Sequence, residues 1–448
     1  MELSSKEILA QTRNTVKKFN NRQLILILDT TKQTYLKFLF FLNWDINTIK
    51  KSVIEEHNPI IWEAVHPVFF MEKHCLRYID TKHSYPMNTR FTNNIYDSFV
   101  IPHKERFSQT YPSFSDIKLY YFEIHNKIKN YIENNILNGS EYYLIMLVII
   151  HMHMHLESYI FTNQLVYKIS PFGLQKKIIT NQIPINSELL FIDVKGGTLY
   201  QGHHSTHKIG FDNEKPMFKN HIQDFSVSKT LVTFFMFYQF YLDRGYEKDE
   251  LWSFRGKIWK NNNKIKHPLY WNFINKSVFI NYFAELVDIK NIMNFPIINI
   301  SWYEAEAFCN WKGLRLITES EWEYLSTNGS TTLYPWGNEE EKLKLCHLNY
   351  NNNWISCTTD NNKNINNKQG VEQLIGNCWE WCQETIYPYD NFVIDPVYRE
   401  MSYPFFGQKK ICKGGAWCVP DFMVTSSYRN AQMPDCRKQF IGFRCAKL

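Results

Sequence analysis

The chain has 448 residues, of which 44% are hydrophobic and 16% aromatic, and its formal charge is +6. This length exceeds what one hydrophobic core usually supports, so we expect two or more domains. The small positive charge is not gathered into a Lys/Arg cluster, which argues against a nucleic-acid partner.

The start of the chain and its cysteines bear on the compartment. Residues 24–28 form an apolar run that Asp29 ends too soon for a signal-peptide core. No stretch approaches the ~20 apolar residues of a membrane span. The ten cysteines include no CxxC pair, so buried free thiols are expected rather than a zinc site or a disulfide framework. These features predict a cytoplasmic protein with no membrane partner.

The first part of the chain is typical of helices, with apolar residues at helical spacing and little glycine. Five such segments are separated by moderate loops, at residues 6–19, 24–41, 60–78, 115–137 and 142–167. Segments of this length predict an antiparallel helix bundle. Bundles can hold metals in their cores, on side chains from facing helices.

A histidine-rich stretch follows the apolar run at residues 143–150. At roughly 100° per residue, His151 and His155 lie about 40° apart on one helix face, whereas His153 points elsewhere. Two imidazoles one turn apart can bind a single transition metal. A lone histidine is more often a hydrogen-bonded core residue, so the pair alone leaves a metal site and core histidines as alternatives.

The chain changes character near residue 190, where glycine, tryptophan and short β-branched runs increase. Residues 191–194 and 196–200 predict a strand pair joined by a glycine turn. Two short helices are predicted at 301–310 and 318–326, because each begins with Ser or Thr followed three residues later by Glu, a capping-box pattern.

Beyond residue 329 we expect mainly loops, held by aromatic residues rather than by regular sheet. Asn-rich inserts lie at residues 349–353 and 360–367. The second half is therefore predicted to be an irregular α+β domain.

Seven short motifs follow one another in this second half. They are Phe211-Asp212-Asn213-Glu214-Lys215-Pro216, ISWYEAEAFC at 300–309, GLRLITESEWEY at 313–324, YPWGN at 334–338, GNCWEW at 376–381, KGGAW at 413–417 and GFR at 442–444. In this order they resemble the formylglycine-generating-enzyme fold, a C-type-lectin-like α+β domain, over about residues 190–448. A fold alone does not fix a function.

Both halves together resemble the nonheme iron sulfoxide synthases of ergothioneine and ovothiol biosynthesis. The resemblance implies a multidomain chain, with an all-α DinB-like four-helix bundle in residues 1–185 that carries the iron-binding histidines. Residues 186–448 would then form the α+β C-type-lectin-like domain, related to formylglycine-generating enzyme, that carries the catalytic tyrosine and the substrate loops.

The family's motifs also imply the site residues. Residues 62–70 match its Trp-x-x-x-His motif, so His66 would be the third ligand of an Fe(II) cofactor beside His151 and His155. The family's aromatic loop, which lies before Gly-Gly-x-Trp, implies Tyr398 as the catalytic residue that delivers a proton or an electron. The same loop holds three competing tyrosines, Tyr387, Tyr389 and Tyr403.

The resemblance implies an oxygenase that uses iron(II) and O2 on small-molecule substrates. Such enzymes join the sulfur of cysteine or γ-glutamylcysteine to an imidazole carbon and form a sulfoxide. Hercynine, as in ergothioneine biosynthesis, is the acceptor that we favour. Histidine with cysteine, as in ovothiol biosynthesis, is the alternative.

Substrate binding is implied at seven positions. Lys104 and Arg106 lie where the family places basic residues for the thiol's carboxylate, although a solvated surface explains them equally well. The other five positions are compared with the ergothioneine type. Arg429 and Asn430 match it, whereas Met154, Met401 and Gln432 depart from it. Gln432 stands where that type has a carboxylate, so a cationic amine loses a partner and the identity of both substrates stays open.

Three rival functions stay open. A formylglycine-generating copper oxidase needs a closely spaced cysteine pair, and only Cys436 lies near Arg429. A zinc hydrolase needs a carboxylate beside its first histidine, where this chain has Met152. A non-catalytic lectin-like binding module with a vestigial metal site is the alternative from another class.

Overall fold

The structure is a computed structural model that describes residues 19–42, 57–88, 90–167, 188–204, 209–283, 285–350 and 365–448. Its described residues divide into two compact units. The first contains residues 19–167 and Ile209, and the second contains residues 188–204 and those from Gly210 onward. The predicted domain boundary at 185, the helix predicted at 6–19 except Phe19, and most of the Asn-rich inserts lie outside the described residues.

Four long helices form the described part of the first unit, and all four were predicted. They are α1 (Asn21–Leu42), α2 (Ile60–Met71), α3 (Phe114–Asn134) and α4 (Gly139–Thr162). Both α2 and α4 continue into a π-helical turn, at Glu72–Leu76 and Asn163–Tyr167. Shorter helical pieces lie at Arg77–Ile79, Asn93–Tyr96 and His103–Ser108.

Aromatic residues of α1 join the four helices. The Tyr35 hydroxyl donates to the Ala64 carbonyl of α2 at 2.6 Å, and its ring lies 4.3 Å from that of Tyr121 in α3. The ring of Phe38 meets Tyr159 of α4 edge to face at 3.9 Å. Because tyrosine gives both apolar area and a hydroxyl that can be satisfied internally, these contacts fix the helices against one another.

Helix α4 corrects one expectation from the sequence. The segment Gly139–Leu165 is long and apolar enough to cross a membrane by length and composition, although 83% of its apolar window is buried inside the structure. Burial of this kind is also found in the core helix of a globular unit, so the hydropathy alone is weak support for a membrane span.

Thirteen strands and four helices form the described part of the second unit. The helices are α5 (Phe234–Leu242), α6 (Phe254–Asn262), α7 (Trp302–Lys312) and α8 (Glu319–Thr327). The strands are β1 (Phe191–Val194), β2 (Gly197–Gln201), β3 (Phe218–Ile222), β4 (Phe225–Ser228), β5 (Trp271–Ile274), β6 (Ser277–Tyr282), β7 (Glu285–Asp288), β8 (Leu314–Leu316), β9 (Trp379–Thr385), β10 (Lys410–Lys413), β11 (Asn430–Gln432), β12 (Ile441–Gly442) and β13 (Cys445–Lys447).

The strands form two four-stranded sheets and two smaller ones. Their orders are β1-β4-β13-β8, β11-β10-β9-β12, β5-β6-β7 and β2-β3. The expectation that aromatics rather than sheet hold the segment beyond residue 329 was therefore wrong, because five strands of that segment enter the two larger sheets. Short strands with no clear alternation left no signal of period two in the sequence.

The predicted pairing of β1 with β2 was also wrong. β1 pairs with β4 and β2 with β3, in one antiparallel register that continues across Lys195 and Gly196. Gly196 serves a close approach rather than a turn, because a Cβ there would lie 2.1 Å from the Ile222 carbonyl oxygen.

Both predicted capping boxes are confirmed. Ser301 caps α7 by accepting from the Glu304 amide, and Thr318 caps α8 by accepting from the Glu321 amide. The nine cysteines within the described residues are all free and buried, as expected.

Buried ion pairs tie the second unit together. Arg444 and Glu380, both fully buried, form a fork in which Nη2 donates to Oε1 at 2.8 Å. Nη1 and Nη2 also donate to the carbonyls of Ser228 and Glu372, respectively. One side chain thereby links β4, β9 and the loop before β9.

We predict that Arg444→Met lowers the free energy of unfolding by about 3–5 kcal/mol, because Glu380 is left buried without a counter-charge. Replacing both residues by Met should cost less than this single change. The measurement is guanidinium unfolding followed by tryptophan fluorescence. The exposed variant Arg244→Ala is the control, and equal midpoints for it and Arg444→Met would contradict the prediction.

Candidate metal centre

Three histidines converge inside the first unit. His66 comes from α2, in which every residue is buried, and His151 and His155 lie one turn apart on α4. One nitrogen from each ring can be chosen so that all three lie within 4.8 Å of one another. The ring centroids are 4.6 to 5.1 Å apart.

Hydrogen bonds at Nδ1 orient two of these rings. Nδ1 of His66 lies 2.6 Å from the Tyr96 carbonyl oxygen, and Nδ1 of His155 contacts the Glu63 carboxylate. A carbonyl or a carboxylate can only accept, so Nδ1 carries the hydrogen in both rings. Nε2 then bears the lone pair, which is the form that binds a metal.

Burial sets the charge of the cluster. It lowers the pKa values of His66 and His151 well below the ordinary value, and the neighbouring His155 lowers them further. Burial raises the pKa of Glu63, but the interactions with His155 and Asn58 outweigh it and bring the pKa to about 2. Neutral His66 and His151 imidazoles and an ionised Glu63 carboxylate are therefore the stable forms near pH 7.

This donor set fits a divalent transition metal. Three neutral imidazoles suit iron, zinc, copper or nickel, whereas calcium and magnesium prefer oxygen ligands. Three protein ligands also leave positions open for other molecules, as in metal sites that perform chemistry. A metal ligand role for the three residues stays a prediction.

Neighbouring histidines have other partners. Nε2 of His153 lies 2.9 Å from the Thr31 hydroxyl, and burial lowers the pKa of His153 to about 3. His74 lies in the π-helical turn after α2 and is not part of the convergent group. This agrees with the helical spacing in the sequence, which places His153 on a different face from His151 and His155.

The predicted thiol-binding residues lie in different settings. Lys104 is exposed, on the 3₁₀ helix His103–Ser108. Arg106 of the same helix is buried, with its guanidinium 4.2 Å from the centre of the Trp62 ring. Met154 is partly buried on α4, beside His155. Their role in substrate binding stays a prediction.

Tyr398 differs in exposure from its competitors in the second unit. Tyr387 and Tyr403 are 60% and 69% exposed, whereas Tyr398 is 8% exposed. The ring of Tyr389 lies against the Arg429 guanidinium at 4.2 Å. Burial raises the pKa of Tyr398, as do the carboxylates of Glu400 and Asp212, so the phenol keeps its proton at neutral pH.

A buried carboxylate holds the loop that carries Tyr398. Oδ2 of Asp212 accepts from the Asp395 amide at 3.0 Å and from the Ser402 hydroxyl at 2.6 Å. Asp395 in turn accepts from the Tyr398 amide at 2.9 Å. Both ends of the segment 395–402 are therefore fixed by one oxygen atom.

Asn213 connects this loop to the predicted substrate residues. Its side-chain amide donates to the carbonyls of Met401 and Arg429, at 3.5 and 3.2 Å. The Arg429 side chain is directed inward, to Glu319 at 2.7 Å and to the Asn213 carbonyl at 2.6 Å. The structure thus brings Met401, Arg429 and the Tyr398 loop together at Asp212 and Asn213.

Asn430 and Gln432 lie on the edge strand β11. The Asn430 side-chain oxygen accepts from the Ala431 amide at 2.8 Å and from the Gln432 side chain at 3.3 Å. Both residues are partly exposed.

Sequence reasoning missed the residues that support the site. Glu63 is the one charged residue of α2, and a carboxylate within such an apolar helix is the signal that could have identified it. Asp212 and Asn213 were part of a quoted motif, but their partners lie 183 to 216 residues away in sequence and could not be assigned from spacing.

Comparison with known proteins identifies the second unit. The model of the sulfatase-modifying factor enzyme 1-like domain matches residues 180–448. The chain belongs to this family. The match confirms the resemblance to formylglycine-generating enzyme predicted from the seven motifs, and with the sheets described above it confirms the C-type-lectin-like fold of the second part. The first part is helical, as predicted.

Curated relatives of this chain include hercynine oxygenases and formylglycine-generating enzymes. Hercynine oxygenase of Mycobacterium tuberculosis is 30% identical over 251 residues, covering 52% of this chain and 55% of that protein. Hercynine oxygenase of Mycolicibacterium smegmatis is 28% identical over 244 residues, with 52% and 55% covered. Formylglycine-generating enzyme of Mycobacterium tuberculosis is 28% identical over 197 residues, with 39% and 65% covered.

The chain spans about half the length of the hercynine oxygenases that it matches. These matches confirm the resemblance to enzymes of the ergothioneine pathway.

We predict that His155→Ala weakens Co²⁺ binding by more than about 100-fold, because loss of a ligand exceeds the effect of losing an outer partner. The measurement is a titration of the metal-free protein followed by visible absorption. His153→Gln is the control, since its ring bonds Thr31, and it should bind Co²⁺ like the wild type. Equal affinities for both variants would contradict the assignment.

Proposed function

We propose that this protein is an iron(II)- and O2-dependent oxygenase that joins a thiol to hercynine and oxidises the sulfur to a sulfoxide. The observation that carries this proposal is the convergence of His66, His151 and His155 in a chain that resembles hercynine oxygenases. The thiol substrate in this proposal is cysteine or γ-glutamylcysteine. We also propose that the helical unit is a DinB-like four-helix bundle and that the protein works in the cytoplasm.

The overall reaction balances with O2 alone as the oxidant. The thiol loses its S–H hydrogen and the imidazole loses one C–H hydrogen, and a carbon–sulfur bond forms between them. One oxygen atom enters the sulfoxide, and the other leaves as water with the two hydrogens. Four electrons pass from the two organic substrates to O2.

Iron is the metal we propose, because an Fe(II) ion held by three neutral nitrogens would supply O2 activation with positions left for both substrates. The three histidines would hold it through Nε2, with Tyr96 and Glu63 fixing two of the rings. A metal held by these three histidines would bring both substrates together, which would make the bond formation intramolecular. The apolar surroundings of His66 and His151 exclude water, which protects a reactive oxidant from side reactions.

Tyr398 is the residue to which we assign proton delivery. Its raised pKa supports this role, because the phenol stays protonated until a stronger base develops. Asp212 and Asp395 hold the backbone of its loop, which keeps the phenol in one place. Met401 and Arg429 are fixed by the same short helix, Asp212–Glu214, and we propose that this region contributes to substrate binding together with Asn430 and Gln432.

The test is anaerobic reconstitution with Fe(II), followed by O2 and each of four substrate pairs. The pairs combine histidine or hercynine with cysteine or γ-glutamylcysteine, and mass spectrometry detects the coupled sulfoxide. We expect a product with hercynine. A product formed only from histidine and cysteine would favour the ovothiol type. An iron-loaded protein that couples none of the four pairs would contradict the proposed reaction and favour the non-catalytic lectin-like binding module.

We predict that Tyr398→Phe lowers sulfoxide formation by about 100-fold, the contribution typical of a positioned acid. Its affinity for Fe(II) should equal that of the wild type, because Tyr398 is not a proposed ligand. Tyr403→Phe, in the same loop but exposed, is the matched control and should keep its rate. A Tyr398→Phe rate within threefold of the control would remove Tyr398 from this role.

A further inference from the structure

Glu63 is a buried carboxylate whose oxygens both have partners. It is 2% exposed and lies three residues before His66 on α2. Oε2 contacts Nδ1 of His155, and Oε1 accepts from Asn58 at 2.6 Å and from the Ser158 hydroxyl at 3.2 Å. A buried charge requires such partners, and here one of them is a predicted metal ligand.

Asn58 fixes the other side of this carboxylate. Its Nδ2 donates to Glu63 at 2.6 Å, and its Oδ1 accepts from Nη1 of Arg106 at 2.7 Å. A flipped amide would place oxygen against the carboxylate and nitrogen against the guanidinium, so only one orientation satisfies both partners. A continuous chain of hydrogen bonds therefore runs from Arg106 through Asn58 and Glu63 to His155.

Arg106 reaches a second histidine through an aromatic ring. Its guanidinium lies 4.2 Å from the centre of Trp62, and Trp62 stacks on His66 with centroids 4.3 Å apart and planes 12° apart. The Trp62 ring is itself fixed, because Nε1 donates to the Ile95 carbonyl at 2.8 Å. One guanidinium thus contacts both the Asn58–Glu63 branch and the Trp62 branch.

The arginine is held firmly in this position. Nη2 donates to the carbonyls of Ser98 and Ile101, at 3.0 and 3.3 Å. Only 9% of the residue is exposed. Its guanidinium is thus engaged with groups of the chain on two of its nitrogens and on one face.

We propose that Glu63 is a positioning residue of the histidine centre, which fixes the tautomer and ring orientation of His155, and that Arg106 keeps Glu63 in place through Asn58. This inference rests on the proposed function, since it concerns a metal held by the same histidines. A carboxylate that accepts the Nδ1 hydrogen strengthens Nε2 as a donor and prevents the ring from rotating. Arg106 then supports the histidine centre indirectly, through Asn58 and Glu63. This role differs from the thiol binding predicted for it.

The chain offers a matched control in Glu72, which follows α2 directly. This carboxylate is also fully buried and also accepts from a histidine, with Nε2 of His83 at 2.9 Å. Its other partners are the Met87 amide at 2.6 Å and the Tyr120 hydroxyl. Glu72→Gln therefore perturbs a similar buried network that includes none of the three convergent histidines.

The test compares Co²⁺ binding by the full chain, without iron and without substrate. Removal of an outer carboxylate typically weakens metal binding by about 10- to 100-fold, and we expect this range for Glu63→Gln, with a changed visible spectrum of bound Co²⁺. Glu72→Gln should bind within about threefold of the wild type and keep the spectrum. Thermal unfolding of both variants separates loss of folding from loss of metal affinity.

Each outcome has a defined meaning. A wild-type protein that binds no Co²⁺ overturns the metal centre and the proposed function with it. A wild type that binds Co²⁺, with Glu63→Gln binding equally well, overturns only the present inference. If Glu63→Gln fails to fold, Asn58→Ala removes the support of Glu63 more mildly, and an unchanged affinity and spectrum in that variant would likewise overturn the inference.

Arg106→Gln tests the outer part of the chain of hydrogen bonds. We expect weaker Co²⁺ binding by about threefold or more, with the KM for the thiol changed less than the metal affinity. A raised KM with unchanged Co²⁺ affinity would return Arg106 to the thiol-binding role and overturn its place in this proposal.

Discussion

The hydrogen bonds at Nδ1 of His66 and His155 determine what the helical unit can do. Imidazoles in an apolar interior are costly unless their polar atoms have partners, and these two rings are given oxygen acceptors by Tyr96 and Glu63. The same bonds direct the opposite nitrogen of each ring away from its acceptor. The same hydrogen bonds therefore satisfy buried polar atoms and leave Nε2 available to a metal, on side chains of α2 and α4.

The second unit follows a comparable principle with charged pairs. Arg444 with Glu380, Lys413 with Glu323 and Arg429 with Glu319 are buried pairs that join segments far apart in sequence. Short strands supply few ladder hydrogen bonds, so side chains must define where the long loops lie. Asp212 and Asn213 extend this to the Tyr398 loop, which they hold through the Asp395 amide, the Ser402 hydroxyl and the Met401 carbonyl.

Local signals predicted the helices well, because capping and apolar spacing act over a few residues. Ser301 and Thr318 began helices as expected, and the four long helices of the first unit lie where periodicity placed them. The pairing of β1 was wrong because strand partners depend on distant segments, here β4. Within the site, the spacing of His151 and His155 was informative by itself, whereas Glu63 acquires its role only from a residue 92 positions later. Hydrogen bonds of that kind leave no periodic trace in a sequence.

Two independent observations support the proposed chemistry. The family match covers residues 180–448, and all three convergent histidines precede that region, so membership in the domain family does not account for them. The fold of the second unit does not by itself call for an imidazole cluster, since a fold does not fix a function. The helical unit therefore adds its own constraint, which is a set of three convergent histidines, two of whose rings have the tautomer fixed by a hydrogen bond at Nδ1. The carboxylate of Glu63, the amide of Asn58 and the guanidinium of Arg106 form a hydrogen-bonded chain that ends at His155. In a decayed site such groups would be lost, because a buried polar group destabilises the fold once its partner is gone. The continuity of that network from Arg106 to His155 is what favours a working metal centre over a vestigial one.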